Sequence, residues 1–324
     1  GFAATPAAQA YGRQGEDLLA RGKVAVVGGA GGQGSRLGIP GPKGAVKVSP
    51  VRDKSLFCIH AEKVLALRQR YGGAVPLFVM TSRDNDDDTK TFFAQHEYFG
   101  LSDQDVFFFR QGMLPSLTAR GEFILDHAGA LFMNPDGHGG TLWALKQNGC
   151  LDTMRARGIE EIFYFQVDNP LVKIGDPLFV GLHHARGAQM SSKILKKRDF
   201  EEKVGVVAKL NGRTAVVEYS DMPKDMMYAT DAQGGMLYWA GSIAIHMLRV
   251  DFVERITAQG LKLPYHRAGK KIPTLDEQGK PVDIEGIKFE TFIFDALPLT
   301  EVSVTLEVRR AEEFAPVKNP TGED

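Results

Sequence analysis

Short runs of β-branched and aromatic residues alternate with helix-length amphipathic stretches along this chain, a pattern that predicts an α/β fold. The expected strands are Lys23 to Val27, Pro76 to Thr81, Asp105 to Arg110, Glu161 to Val167 and Met190 to Lys196, each closed off by polar residues or glycine. Helices fill the gaps. In Leu56 to Tyr71, residues Leu56, Ile59, Lys63, Val64 and Leu67 recur at three-to-four spacing, with Ser55 placed to cap the helix and Gly72-Gly73 to stop it. Short links from strand to helix suit a doubly wound sheet. After residue 200 the pattern changes. Lys203 to Leu210 and Arg213 to Tyr219 alternate around Asn211-Gly212, a strong hairpin signal. The runs Met236 to His246 and Val302 to Arg309 read as further strands, so the sheet is expected to be mixed, mainly parallel, with an antiparallel hairpin insertion. No boundary between two large domains stands out. The expected division is an N-terminal segment at 1–22, one domain at 23–320 and a tail at 321–324, cut short before a further domain.

Composition narrows the class. A chain with 43% hydrophobic and 24% charged residues is neither disordered nor a membrane bundle. With 39 Lys and Arg against 40 Asp and Glu, the net charge of -1 supplies no general field for nucleic acid, so any polyanion must be held by a local cluster. No apolar run approaches the ~20 residues of a membrane span, and the N-terminus lacks the basic start and apolar core of a signal peptide. Cys58 and Cys150, without a CxxC pair, fit reduced thiols in a cytoplasmic protein. The Asp84 to Asp88 run lacks the glycine and glutamate of a calcium loop and reads as an acidic helix start. The histidines form no HExxH, which argues against zinc.

Glycine is in excess, and eight of the 36 glycines fall between Gly28 and Gly44, directly after the first expected strand. Backbone N–H groups there stand at the carboxyl edge of the sheet, where open α/β proteins bind ligands. Gly29-x-Gly31-x-x-Gly34 matches a dinucleotide fingerprint, yet Gly38, Pro40, Gly41 and Pro42 forbid the helix that fingerprint needs. A Walker A loop is excluded because Lys43 stands between Pro42 and Gly44. A long loop of backbone donors with two cations, Arg36 and Lys43, suits a nucleoside triphosphate.

Gly31-Gly32-Gln33-Gly34-Ser35-Arg36-Leu37-Gly38 followed by Pro42-Lys43-Gly44 resembles the signature loop of the UTP-dependent sugar-1-phosphate uridylyltransferases, most closely the UDP-N-acetylglucosamine pyrophosphorylases. The resemblance continues through Gln111-Gly112-Met113-Leu114-Pro115, Asn134-Pro135-Asp136-Gly137-His138-Gly139-Gly140, Val167-Asp168-Asn169, Val204-Gly205-Val206-Val207, Val217-Glu218-Tyr219-Ser220, Gly286-Ile287-Lys288 and Pro316-Val317-Lys318-Asn319. It implies a Rossmann-like nucleotidyltransferase core whose partners are UTP and a sugar 1-phosphate, with no role for nucleic acid or membrane. It further implies that Ala30, Gly31, Gly32, Gln111 and Gly137 read uracil, that Asp168 holds Mg²⁺, and that Arg36, Lys43, Lys288 and Lys318 hold phosphates. Gly205, Glu218 and Ser242 correspond to sugar-facing positions, and Phe292, with Phe294, lines the sugar or acyl pocket, with the core as the alternative place for this alternating aromatic pair. Two positions depart from the N-acetylglucosamine enzymes. Asn is usual there where this chain has His138, which is more like the glucose-using relatives, and a sugar-contacting Asn is usual where it has Ser242. N-acetylglucosamine 1-phosphate is the expected sugar, with glucose 1-phosphate or another hexose 1-phosphate as the alternative. A UDP-sugar-binding domain without catalysis is the alternative class.

Overall fold

The computed structural model describes residues 2–276 and 278–321, so the expected tail lies, apart from Thr321, outside the described residues. The strands are β1 (Val24–Gly29), β2 (Leu77–Thr81), β3 (Val106–Arg110), β4 (Met113–Pro115), β5 (Met133–Pro135), β6 (Glu161–Gln166), β7 (Met190–Lys196), β8 (Val206–Leu210), β9 (Arg213–Val217), β10 (Ala240–Arg249), β11 (His266–Leu275), β12 (Pro281–Glu290) and β13 (Thr305–Glu307). The principal helices are α1 (Pro6–Ala20), α2 (Leu56–Tyr71), α3 (Asp86–Gln95), α4 (Gly140–Gln147), α5 (Cys150–Ala156) and α6 (Pro177–Ala185).

The main sheet runs β13-β7-β10-β6-β1-β2-β3, with β8 and β9 joined at β10. Strand β1 is parallel to both β2 and β6, while β10 runs antiparallel between β6 and β7. The sheet is therefore mixed and mainly parallel, and the chain reverses its direction of winding at β1, which leaves a crevice at the carboxyl ends of β1 and β6. All six residues of β1 are buried, because both faces of the sheet are covered. Val24 and Val26 join the core beneath α1, α2 and α6, and Ala25 and Val27 join the core beneath α4 and α5.

Local signals act as expected at several places. The Ser55 hydroxyl accepts from the Cys58 N–H at 3.1 Å, and Gly72 closes α2 in the left-handed region at φ 74°. Asn211 and Gly212 both have positive φ, 50° and 78°, as a tight β8–β9 turn demands. Helix α3 opens on Asp86, Asp87 and Asp88, as the acidic run suggests.

Other boundaries move. The first strand extends through Gly28 and Gly29 because its ladder with β6 continues to Gln166. The run Met236 to His246 becomes strand only from Ala240, where pairing with β7 begins. Of Val302 to Arg309, only Thr305–Glu307 pairs as strand, parallel to β7. The hairpin β11–β12 is an element the sequence pattern did not predict. Residues 6–20 form helix α1, a second element the sequence pattern does not predict. Its Gly15 meets the backbone of Pro177, so close that an added Cβ would stand 1.9 Å from the Pro177 carbonyl oxygen.

Candidate active site

The carboxyl ends of β1, β2, β3 and β6 open on one edge, and the glycine-rich loop lies across it. Gly28 and Gly29 finish the buried strand, and the Ala30 N–H donates to Met80 O at 2.9 Å. The loop then doubles back on itself. The Gly34 N–H donates to Gly41 O at 2.9 Å and the Lys43 N–H to Gly32 O at 3.0 Å, which returns Lys43 to the sheet edge. Asn85 pins the loop from α3: its amide donates to Ala30 O at 2.9 Å and Gly32 O at 3.1 Å, while its own oxygen accepts from the Ser82 N–H at 2.8 Å. In the sequence Asn85 is simply one residue of an acidic run. Nothing in a single sequence distinguishes such a pin from a helix cap.

The Lys43 ammonium reaches the Asp168 carboxylate at 3.4 Å. Asp168 is held by its neighbours. His60 of α2 donates from Nε2 to Val167 O at 2.8 Å, Lys63 donates to Val172 O at 2.8 Å, and the Val317 N–H donates to Asp168 O at 2.8 Å. The last bond brings the Lys318 segment alongside. Arg36 stands exposed on a short 3-10 turn, Ser35–Leu37, farther out along the loop.

Gln111 follows β3 and is buried, its N–H bonded to Thr81 O at 2.9 Å. Its side-chain oxygen lies over Gly31, where an added Cβ would stand 1.9 Å away, so a larger residue at 31 would displace this amide. Gly137, with φ 85°, packs on Thr291, and His138 follows it. The Ile293 N–H donates to His138 Nδ1 at 3.0 Å, and burial pushes this imidazole down to about 4. His138 is thus neutral at pH 7, with its proton on Nε2. Its ring stacks on Phe292 at 5.1 Å, and Phe292 stacks on His266 at 4.2 Å. Phe294 is a buried member of the core beneath α4.

Ser242, Gly205 and Glu218 meet in the next part of the cleft. The Ser242 N–H donates to Gly205 O at 2.7 Å, and an added Cβ on Gly205 would stand 2.8 Å from Glu218 Oε1. Burial raises the Glu218 carboxyl and Asp221 raises it further, against the pull of His266 and Lys318. Lys318 is therefore within electrostatic reach of this corner. A register shift in β10 between Ser242 and His246, with Ala244 at φ 56°, bends the strand beside Ser242. Lys288, on β12, pairs with Glu290, whose Cβ would lie 3.1 Å from a Cβ added at Gly137.

The expected residues thus form three adjoining groups: Ala30, Gly31, Gly32 and Gln111; Lys43 with Asp168; and Gly205, Glu218 and Ser242, with Gly137, His138 and Phe292 along the same wall. Among the described residues no three His, Cys, Asp or Glu side chains gather around a metal-sized space. Asp168 itself offers one carboxylate. That suits Mg²⁺, which takes one or two carboxylates and fills its remaining positions with phosphate oxygens and water.

The family model for UTP–glucose-1-phosphate uridylyltransferase matches residues 8–322. The UDP-N-acetylglucosamine pyrophosphorylase of Saccharomyces cerevisiae is 38% identical over 96% of this chain and 68% of its own length. The UDP-N-acetylhexosamine pyrophosphorylase-like protein 1 of Xenopus tropicalis is 40% identical over 95% of this chain and 62% of its own length. The crystal structure of the Trypanosoma brucei uridine diphosphate N-acetylglucosamine pyrophosphorylase, in complex with an inhibitor, matches 98% of this chain and 66% of that one, with 30% identity and a TM-score of 0.86. The chain therefore spans about two thirds of the length of these curated relatives, 68% and 62%.

Proposed function

The chain belongs to the UTP–glucose-1-phosphate uridylyltransferase family, and from that premise we propose that it joins UTP to a sugar 1-phosphate, N-acetylglucosamine 1-phosphate first among them, releasing pyrophosphate. The observation that carries this reading is the meeting of Lys43 and Asp168 beside a loop whose Gly31 lies under the Gln111 amide.

In the proposed reaction an oxygen of the sugar 1-phosphate attacks the α-phosphorus of UTP in line, and the bond to the β-phosphate oxygen breaks. The attacking oxygen is already an anion, so no general base is required. The work of the protein is to position the reactants and offset charge. Gln111, with the backbone of Ala30, Gly31, Gly32 and Gly137, holds uracil. Arg36 and Lys43 hold the departing pyrophosphate, and Lys288 and Lys318 hold the attacking phosphate. Asp168 would hold Mg²⁺, which would supply further neutralisation of phosphate charge. Gly205, Glu218 and Ser242 face the sugar, with the neutral His138 and Phe292 forming a wall. The relatives named for N-acetylglucosamine favour that sugar, while His138 and Ser242 keep glucose 1-phosphate as the second candidate. We place the enzyme in the cytoplasm, consistent with reduced Cys58 and Cys150 and with no described helix long and apolar enough to cross a membrane. Pyrophosphate release from UTP with a panel of sugar 1-phosphates tests the proposal. A silent panel accompanied by tight UDP-sugar binding would instead identify a binding domain.

A further inference from the structure

Asn169 follows Asp168 in the chain and has no part in the reading above, yet it is almost wholly buried, at 3% exposure. Both ends of its amide are used. Nδ2 donates to Glu313 O at 2.7 Å, and Oδ1 accepts from the Ala315 N–H at 3.1 Å and, within its own turn, from the Leu171 N–H at 3.3 Å. Glu313 and Ala315 flank Phe314, so the amide meets this stretch as a neighbouring strand would, with one donor and one acceptor, although 144 and 146 positions of chain lie between them. Two more bonds hold the same stretch. The Glu313 carboxylate accepts from Lys193 Nζ at 2.7 Å, and the Val317 N–H donates to Asp168 O at 2.8 Å. Lys318 comes next, exposed, at the end of a run from 314 to 318 that has neither a helical turn nor a strand ladder of its own.

A run of chain without its own ladder takes its path from the groups that satisfy its backbone. We propose that Asn169 is a positioning residue whose amide fixes the 313–317 stretch against the turn after β6 and so sets Lys318 where the phosphate of the sugar 1-phosphate is held. This rests on the phosphate role proposed for Lys318. The residue type follows from the bonds: an amide offers a donor and an acceptor together, whereas a carboxylate offers acceptors alone. An apolar side chain in its place would leave Glu313 O and the Ala315 N–H without partners, and buried backbone groups so orphaned draw the chain toward water. One amide thereby ties the residue next to Asp168 to the segment that carries Lys318, two parts of the site that are far apart in sequence.

The test compares the kinetic constants for the sugar 1-phosphate with those for UTP, by pyrophosphate release, in the wild type, Asn169→Ala and Ala315→Pro. Ala315→Pro removes the N–H that Oδ1 accepts and leaves Asn169 in place, which covers the case in which Asn169→Ala does not fold. Phe314, at φ -143° and ψ 108°, already has the extended backbone that a following proline requires. Each variant that retains the wild-type melting transition is expected to lower kcat/KM for the sugar 1-phosphate at least about tenfold, with the KM for UTP held within about twofold. The same substitutions made in Lys318→Ala are expected to cost less than about twofold more, because the lysine they position is already gone. Should Lys318→Ala show no turnover, the split between the two substrates decides alone. Equal losses with and without Lys318, a KM for UTP that rises in step, or folded variants with wild-type constants would each overturn the inference and leave the proposed function standing. So would a loss of folding in both variants, which would make Asn169 a support of the core alone. A wild type silent with every sugar 1-phosphate overturns both.

Discussion

The ammonium of Lys43 and the carboxylate of Asp168 meet at 3.4 Å across 125 positions of chain. Each is only about one-fifth exposed, 18% and 21%. The glycine-rich loop brings one charge back to the sheet edge, and the end of β6, tied by His60 and Val317, presents the other. Lys43→Ala is expected to lower kcat at least about 100-fold, roughly 2.7 kcal/mol of transition-state stabilisation, with the melting temperature nearly unchanged. Turnover close to wild type in the folded variant would remove Lys43 from the catalytic machinery.

Ser242 occupies the bend in β10 beside Gly205 and Glu218. Replacing it by Asn extends an amide into the corner assigned to the sugar. Ser242→Asn is expected to move the kcat/KM ranking toward N-acetylglucosamine 1-phosphate relative to glucose 1-phosphate. An unchanged ranking across the panel counts against a sugar-facing Ser242.

Lys193 is fully buried on β7 and donates to Asp176 Oδ2 and Glu313 Oε2, each at 2.7 Å. Asp176 also caps α6 by accepting from the Leu178 N–H at 3.2 Å. Lys193→Ala would leave the buried Glu313 and the partly buried Asp176 without their shared cation. Loss of one partner from such a cluster costs about 3–5 kcal/mol. Denaturant unfolding should show a midpoint well below wild type; a midpoint within error of it would refute the structural role.

Gly15 and Gly181 let α1 and α6 touch backbone to backbone: an added Cβ at Gly181 would stand 1.8 Å from Tyr11 O. Since the atoms met are backbone, the helices themselves must part. Gly181→Ala is expected to destabilise the fold by about 1–3 kcal/mol, the usual range for overpacking, and a gain in melting temperature would contradict this packing.

Three buried imidazoles set the expected response to acid. Burial depresses His60 and His246 to about 3 and His138 to about 4, from an ordinary 6.5. The unfolded chain takes up these protons near pH 6.5, and the native state only near pH 3–4. Their contribution to stability is therefore whole above pH 6.5 and is lost as pH falls toward the native values. Asp136, raised from 3.8 to about 6, acts in the opposite sense between those values, as do the raised carboxyls of Glu218 and Asp295 and the raised His184, but the three imidazoles carry the larger shifts. The melting temperature should fall between about pH 7 and pH 5, and a flat or rising profile over that interval would show that these imidazoles do not stay neutral.

Much of the scaffold was legible because its signals are local. Ser55 and Gly72 mark the ends of α2, Asn211-Gly212 marks a hairpin through the positive φ that both residues must adopt, and Gly28 to Gly44 follows an apolar strand. The candidate site was legible chiefly through motifs, which name residues without saying what they touch. Asn85 escaped for that reason: it is an ordinary polar residue until distant backbone closes on it. The length of β10 escaped because a strand begins where a partner offers hydrogen bonds, and that partner is β7. Helix α1 escaped because much of its buried face is small, Ala8 and Gly15 before Leu18 and Leu19, which lets it pack closely on α6 but gives a weak hydrophobic signal.

Sequence alone determined which stretches form buried strands, where the chain turns, and that a long backbone-donor loop with cations follows the first strand, since hydrophobic period, capping and glycine conformation act over a few residues. Only the tertiary structure decided that Lys43 faces Asp168, that Gln111 rests over Gly31, and that Asn85 pins the glycine-rich loop. Those relationships depend on the order of strands in the sheet, which brings the ends of β1, β3 and β6 to one edge and is set by long-range pairing and burial.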